Sequence, residues 1–226
     1  MEKVLDVYKR PYDASYPVVC LDEKPYQLLS DVREALAMKP GQCLIQDHEY
    51  KREGTSSIFV AFEALRAKRS LLAKERRTKQ DYAHWLKHIA DELYPHAHKI
   101  TIVQDNLNTH NFGSLYETFS PQEAFRLMQR FDFVYTPKHG SWLNMAELEF
   151  SVLERQCLAH RRLPSIEVLN QELNAYQLRR NSQAFKVDWQ FTVEDARIKL
   201  KRLYPEIIEL DATLRPQTCL SLELVA

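Results

Sequence analysis

A short apolar run, residues 131–135, stops at Thr136-Pro137-Lys138-His139-Gly140, and apolar residues at helical spacing follow from about Asn144 to Leu158. Pro and Gly break regular elements, so this stretch reads as strand, loop, helix. It puts Glu147 near the helix start. A carboxylate in a first helical turn is favoured by the helix dipole, and on that ground alone says little. Its company says more. Asp22 closes the apolar run 16–21, and Asp105 closes the run 100–104. Acids at the ends of two buried strands and one at a helix start can converge at one edge of a sheet.

The rest of the chain sets the frame for those acids. Residues 1–15 are polar and Pro-broken and read as a lead-in with one helical turn. Strand 16–21 is followed by a turn at Glu23-Lys24-Pro25, a short return at 26–29, a loop with one helical patch at 30–46, and a polar turn region at 47–55. Residues 57–65 are a strong strand signal, and 68–73 pair with them as a hairpin. Thr78 is an N-cap, and Tyr82, Trp85, Leu86, Ile89 and Leu93 repeat at helical spacing until Pro95. Residues 114–119 and 121–130 are helical, the second opened by Ser120-Pro121. Ser165 caps a helix to about Asn181, and Thr192 caps another to about Leu203. Strands in a block, then strands alternating with helices, predict an α/β fold with a mixed sheet covered by helices on both faces. A ribonuclease H-like architecture fits that order, as do other α/β folds.

Composition narrows the function. Lysine plus arginine balances aspartate plus glutamate at 31 each, which argues against a surface that is basic throughout. Basic residues do cluster locally, at Arg66, Lys68, Arg69, Lys74, Arg76, Arg77 and Lys79, and again at Arg197, Lys199, Lys201 and Arg202. A solvated face is the plain reading of either cluster. The four cysteines, Cys20, Cys43, Cys157 and Cys219, form no CxxC pair and read as reduced residues of a cytoplasmic protein. No run is long and apolar enough for a membrane, and the start of the chain carries no signal-peptide core. Four glycines and no Gly-rich loop disfavour a nucleotide-binding fold.

Two carboxylates about 5 Å apart repel by roughly 3 kcal/mol at an effective dielectric near ~20. A cluster of Asp22, Asp105 and Glu147 would therefore share a proton or hold a cation. All-oxygen ligands select Mg²⁺ or Mn²⁺, and two such ions can clamp the attacking and leaving oxygens of a phosphoryl displacement. Spacing alone favours three ordinary strand-end and helix-start acids, since a chain this long has several. Glu149 is a rival for the third position. Two residues on, it faces another side of the helix, with Met145, Ala146, Val152 and Leu153, whereas Glu147 shares a polar stripe with Asn144, Ser151 and Glu154.

Longer motifs separate these readings. Val18-Val19-Cys20-Leu21-Asp22-Glu23-Lys24-Pro25, Glu75-Arg76-Arg77-Thr78-Lys79-Gln80-Asp81-Tyr82, Val103-Gln104-Asp105-Asn106-Leu107-Asn108-Thr109-His110 and the whole of 135–147 resemble DDE-type transposases of the mariner superfamily, in its bacterial insertion sequence 630 family. The resemblance continues through 187–192 and Asp195-Ala196-Arg197. It implies a ribonuclease H-like catalytic domain over 16–205, with a tail at 206–226. It implies Asp22, Asp105 and Glu147 as catalytic and metal-binding acids, Mg²⁺ or Mn²⁺ as cofactor with two ions per site, and hydrolysis of a phosphodiester followed by 3′-hydroxyl attack on target DNA at TA dinucleotides. The partners it implies are double-stranded DNA, as element ends and target, and a second copy in an active homodimer, in a nucleoid-associated cytoplasmic protein. Arg76, Arg77, Lys79, Lys138, His139 and Trp142 are then the candidate DNA contacts, and Asn106, His110 and Asn144 the candidate supports of the acids. Full-length relatives carry a helix-turn-helix region before the catalytic domain. About twenty residues precede Asp22, too few for that module, so the expectation is a catalytic domain alone. A catalytically silent remnant that binds DNA or a partner, and a general ribonuclease H-like nuclease, are the rival functions. His84 and His88 have zinc-compatible spacing, but no third ligand is placed beside them, and Trp85 and Leu86 account for the helix as core packing.

Overall fold

The computed structural model describes residues 1–33, 40–41, 47–138, 140–187 and 189–201. It divides into two units, Met1–Gln190 and Phe191–Ala226. The first is built on a five-stranded sheet of β1 (Val18–Asp31), β2 (Tyr50–Glu63), β3 (Lys68–Lys74), β4 (Ile100–Gln104) and β5 (Phe131–Tyr135). Strand order is β3-β2-β1-β4-β5. The β3-β2-β1 half is antiparallel, and β4 and β5 add in parallel. Among the described residues this unit has six α-helices: α1 (Glu2–Tyr8), α2 (Lys79–His88), α3 (Gly113–Thr118), α4 (Pro121–Arg130), α5 (Met145–Leu153) and α6 (Ile166–Gln183).

Sheet alternation sorts the core onto two faces. Val19 and Leu21 of β1, Phe59 and Ala61 of β2 and Ile100 and Ile102 of β4 bury against Tyr82, Trp85 and Leu86 of α2, Leu115 of α3 and Leu127 of α4. The opposite face meets α1 and α5. There Tyr8 donates its hydroxyl to the Leu143 carbonyl at 2.7 Å and contacts Cys20 Sγ at 3.4 Å. Val4, Leu5 and Val7 are fully buried, each stabilising by roughly 1.5–3 kcal/mol over exposure. The first fifteen residues are thus a core helix and its exit, not a polar lead-in. Thr78 and Asp81 close a capping box at the start of α2, as the spacing predicts.

Two further expectations are corrected. Asp22 does not end a strand that turns at Pro25: β1 continues to Asp31. Pro25 is tolerated because β4 pairs only with Val18–Cys20, so at Pro25 the strand has a neighbour on one side and no ladder donor is lost. The polar region 47–55 is likewise strand from Tyr50, paired from Asp31↔Tyr50 inwards. This outer ribbon is solvent-exposed, so its pairing is not announced by apolar alternation. Of the loop expected at 30–46, residues 34–39 and 42–46 lie outside the described residues, as does the tail at 206–226. Cys20 and Cys157 are buried free thiols, and Cys43 and Cys219 lie outside the described residues.

The outer edge of β3 is closed by side chains. The backbone N–H groups of Arg69, Leu71 and Ala73 donate to Asn181 Oδ1 (2.9 Å), Gln177 Oε1 (2.9 Å) and Asn170 Oδ1 (2.7 Å) of α6. Asn170 and Asn181 return donors to the carbonyls of Ala73 and Arg69. A helix thereby substitutes for a sixth strand and protects an edge that would otherwise pair with another chain. Asn181→Ala is expected to cost about 1–3 kcal/mol by leaving two β3 groups unpaired. The urea midpoint should fall with its slope unchanged; an unmoved midpoint would mean that water already serves this edge.

In the second unit α7 (Val193–Lys199) opens with a Thr192–Asp195 capping box, and Lys199 lies 5.6 Å from the centre of the Phe191 ring. Arg202 and the expected boundary at 205 lie outside the described residues.

Candidate active site

Strand order puts the middle of β1, where its pairing with β4 stops, beside the end of β4. Asp105 follows β4 directly, and Asp22 lies two residues beyond the last β1–β4 pair, Cys20↔Val103. Glu147 arrives from the other direction. After β5 the chain folds tightly, the Gly140 N–H donating to the Pro137 carbonyl at 2.8 Å. A Cβ on Gly140 would meet Pro137 Cγ at 2.6 Å, so this turn requires glycine. Asn144 then caps α5, accepting from the Ala146 N–H at 3.1 Å. Its amide also donates to the Leu21 carbonyl at 2.7 Å. Asn144 is buried, and it ties the start of α5 to the residue before Asp22.

Asp22 and Glu147 line one open groove, of about 530 Å³, with Lys24, Ser151, Glu154 and Arg155. Asp22 carries the strain of the cluster. Burial pushes its carboxyl up to about 7, the N–H donated by Glu23 at 2.9 Å works against this, and Glu147, Glu23 and Asp105 add repulsion.

Asp105 is held differently. His110 Nδ1 lies 2.5 Å from its Oδ1, and His110 Nε2 lies 2.9 Å from Glu23 Oε1. Burial of His110 opposes charge, but the hydrogen bonds to Asp105 and Glu23 outweigh it and raise the imidazole to about 9. His110 is therefore an imidazolium donating from both nitrogens. Its bond, with the charge of Arg77 adding, holds Asp105 below the usual carboxylate range. The carboxylate–imidazolium–carboxylate chain rests on the α2 face of the sheet, the His110 ring lying 4.7 Å from that of Tyr82. Strand alternation explains the division: Glu23 follows Val19 and Leu21 towards α2, whereas Asp22 follows Cys20 towards α5.

Glu147 and Glu149 are separated sharply. Glu147 is exposed on the groove. Glu149 is buried, with Arg69 Nε of β3 at 3.0 Å and the Tyr176 hydroxyl of α6 donating at 2.7 Å. Burial pushes Glu149 up, and Arg69 and Tyr176 pull it back. It joins three elements of the core.

The candidate DNA contacts scatter. Arg76 and Arg77 are exposed in the turn before α2, and Lys138 is exposed after β5. Trp142 is 47% exposed in a short turn of 3₁₀ helix. Lys79 is engaged by Glu117 of α3 at 2.5 Å. His139 lies outside the described residues. The segment 66–79 is not one basic face, since Arg69 is in the core and Lys74 pairs with Asp81. Of the candidate supports, His110 and Asn144 touch the acids or their strand, while Asn106 is exposed. His84 and His88 sit against Phe119 and Trp85 respectively. Among the described residues no group of three His, Cys, Asp or Glu is close enough to hold a metal ion as placed. Glu23 is the residue that sequence reasoning missed: read as part of a turn, it gave no sign of the sheet face it occupies in β1.

A family model described as DDE superfamily endonuclease matches residues 17–170. No curated protein matches the chain. Among solved structures, the Mos1 mariner paired end complex with Mn is similar at 17% identity and TM-score 0.53, over 79% of this chain and 52% of that one. A pre-cleavage Mos1 transpososome is similar at 16% identity and TM-score 0.52, over 81% and 56%. At such identities the likeness is one of fold, the ribonuclease H-like mixed sheet with helices on both sides. The chain spans 52% and 56% of the length of these two chains.

Proposed function

The chain belongs to the DDE superfamily endonucleases, and from that premise we propose that it is the catalytic domain of a metal-dependent transposase of the insertion sequence 630 branch. Its reactions are hydrolysis of a phosphodiester at an element end and attack of the freed 3′-hydroxyl on target DNA. The observation that carries this reading is the meeting of Asp22 and Glu147 in one open groove, with Asp105 near enough to repel Asp22.

The donor set fits a hard divalent cation. It is all carboxylate oxygen, and Asp22 bears burial and repulsion that a positive charge would relieve. Asp22, Asp105 and Glu147 would hold Mg²⁺ or Mn²⁺, two ions in the reading from the motifs. When bound, the metal supplies charge stabilisation at the phosphoryl oxygens and a more acidic water. The chain's own residues do the rest. Asn144 fixes α5 against β1 and so sets where Glu147 stands relative to Asp22. His110 orients Asp105 and offsets its charge against Glu23. Arg76, Arg77 and Lys138 give phosphate contacts, which position a duplex without reading its sequence. The homodimer and the nucleoid location belong to the same proposal. Among the described residues no helix is long and apolar enough to cross a membrane.

Mn²⁺-dependent nicking of a duplex carrying element ends, with Asp105→Ala as control, tests this directly. Cleavage by the wild type alone supports it. Cleavage restricted to RNA–DNA hybrids would favour a general nuclease, and no cleavage with either metal a silent binding protein. Metal binding has its own readout. Millimolar Mg²⁺ or Mn²⁺ is expected to raise the melting temperature, by about 2–4 °C per kcal/mol of binding. Asp22→Asn should reduce that shift. An equal shift in both proteins would place the ion elsewhere.

A further inference from the structure

The groove at the acids does not end there. Glu154 lines it and also lines a second opening of about 530 Å³, bounded by Tyr26 and Tyr50 of the β1–β2 ribbon and by the chain that continues α5. The two openings share Glu154 as a wall, and taken together they are a trough between the ribbon and the chain from α5 onwards. From Asp22 to Leu29 an extended strand covers about 23 Å, and a helix from Glu147 to Leu158 about 16 Å. At the spacing of one DNA strand that is room for about five or six nucleotides. Lys24 and Glu154 meet across the trough, so its walls stand two side chains apart, nearer the width of one nucleic-acid strand than of a duplex.

Its walls carry suitable chemistry. Tyr50 is 48% exposed, with the Arg162 guanidinium 5.7 Å from its ring centre, a surface on which a base can stack. Arg155 donates to the Ser151 carbonyl and has no carboxylate partner among the described residues. Lys24 crosses the trough from β1 to Glu154, 2.9 Å away, with the two side chains 37% and 45% exposed. An ion pair so exposed is worth about 0–1 kcal/mol, so a phosphate can take the lysine at little cost, with a charge-assisted bond in return.

We propose that one DNA strand runs from the acids along this trough, and that Lys24 exchanges Glu154 for a backbone phosphate as the strand enters. This rests on the reading of the acids as a DNA-cleaving site, but it is a statement about binding and is tested as such. Glu154 occupies the phosphate's place in the free protein and lowers affinity for any strand that does not displace it.

The test is fluorescence anisotropy with a labelled single strand of about ten nucleotides and a duplex of the same sequence, in millimolar Mg²⁺. Glu154→Gln should bind the single strand about three- to tenfold tighter, one lysine having been released to phosphate. Lys24→Gln should bind it more weakly. In the double variant the gain from Glu154→Gln should vanish, because there is no lysine to release. Tyr50→Ser should weaken the single strand and leave the duplex unchanged. All these side chains are partly exposed, so melting temperatures should stay within about 2 °C of wild type. A Glu154→Gln gain that survives intact in the Lys24→Gln background would reduce the effect to general charge and overturn the exchange. Indifference of the single strand to Lys24→Gln and Tyr50→Ser would remove the strand from the trough. Loss of cleavage in Asp105→Ala alongside unmoved trough variants would retain the catalytic reading and reject this one. The reverse pattern would retain the trough and reject the chemistry.

Discussion

Glu147→Gln is expected to abolish metal-dependent strand cleavage, by about 10³-fold or more, while the melting curve stays where it was. A loss of that size is about 4 kcal/mol of transition-state stabilisation, within reach of removing one carboxylate from a metal-assisted phosphoryl site. The fold has no stake in this side chain, which is exposed on the groove. Glu149→Gln should behave in the opposite way. It leaves Arg69 charged in a site where its side chain is 0% exposed and its guanidinium faces Glu149. Breaking such a pair costs about 3–5 kcal/mol. Replacing both Glu149 and Arg69 by methionine should recover most of that, since an apolar pair of similar volume removes both desolvation costs. Nicking assays and denaturant melts on the four proteins separate the roles. Cleavage within tenfold of wild type in Glu147→Gln, or cleavage lost at full stability in Glu149→Gln, would reverse the assignment of the third acid.

The two glutamates also show what a sequence discloses. That they face different sides of α5 follows from helical geometry, and the apolar company of Glu149 already pointed inwards. Its partners did not, because Arg69 lies on β3 in what reads as a basic surface segment. The strong strands and helices, residues 57–63, 79–88, 100–104 and 121–135, were legible because burial shaped their composition: strands 57–63 and 100–104 are buried at every position and read as short, largely apolar runs, while the helices bury one face and repeat apolar residues at helical spacing. The outer part of β1 and β2 buries little, so no period marks it, and its pairing is decided by residues about twenty positions apart, such as Asp31 and Tyr50. Asn170, Gln177 and Asn181 look like a solvated helix face. Only the position of α6 beside β3 turns them into an edge cap. In the site, Asp105 was readable as a strand-end acid, and Asp22 as the acid closing an apolar run, although its strand continues to Asp31. Glu23 was not, since its role depends on which loop arrives on its face of the sheet.

That role yields the other large effect. His110→Gln is expected to destabilise the protein by about 3–5 kcal/mol, because it removes the cation between two carboxylates. The Glu23 side chain is 6% exposed, so its carboxylate cannot turn to water without moving β1, whereas Asp105 is half exposed and bears less of the loss. Glu23→Gln should also destabilise, by less, since it leaves His110 paired with Asp105 at 2.5 Å. The double variant, with two neutral amides able to bond each other, should be more stable than the sum of the single losses by about 1–3 kcal/mol. Cleavage should not return with that stability. Asp105 would still lack the group that fixes its carboxylate, and a misplaced acid costs rate even in a folded protein. Denaturant melts of the two single variants and the double, with nicking rates for each, read both quantities. Additive losses of stability would mean that Glu23 and His110 act separately. Cleavage restored in the double variant would show that His110 serves the fold and not the placement of Asp105.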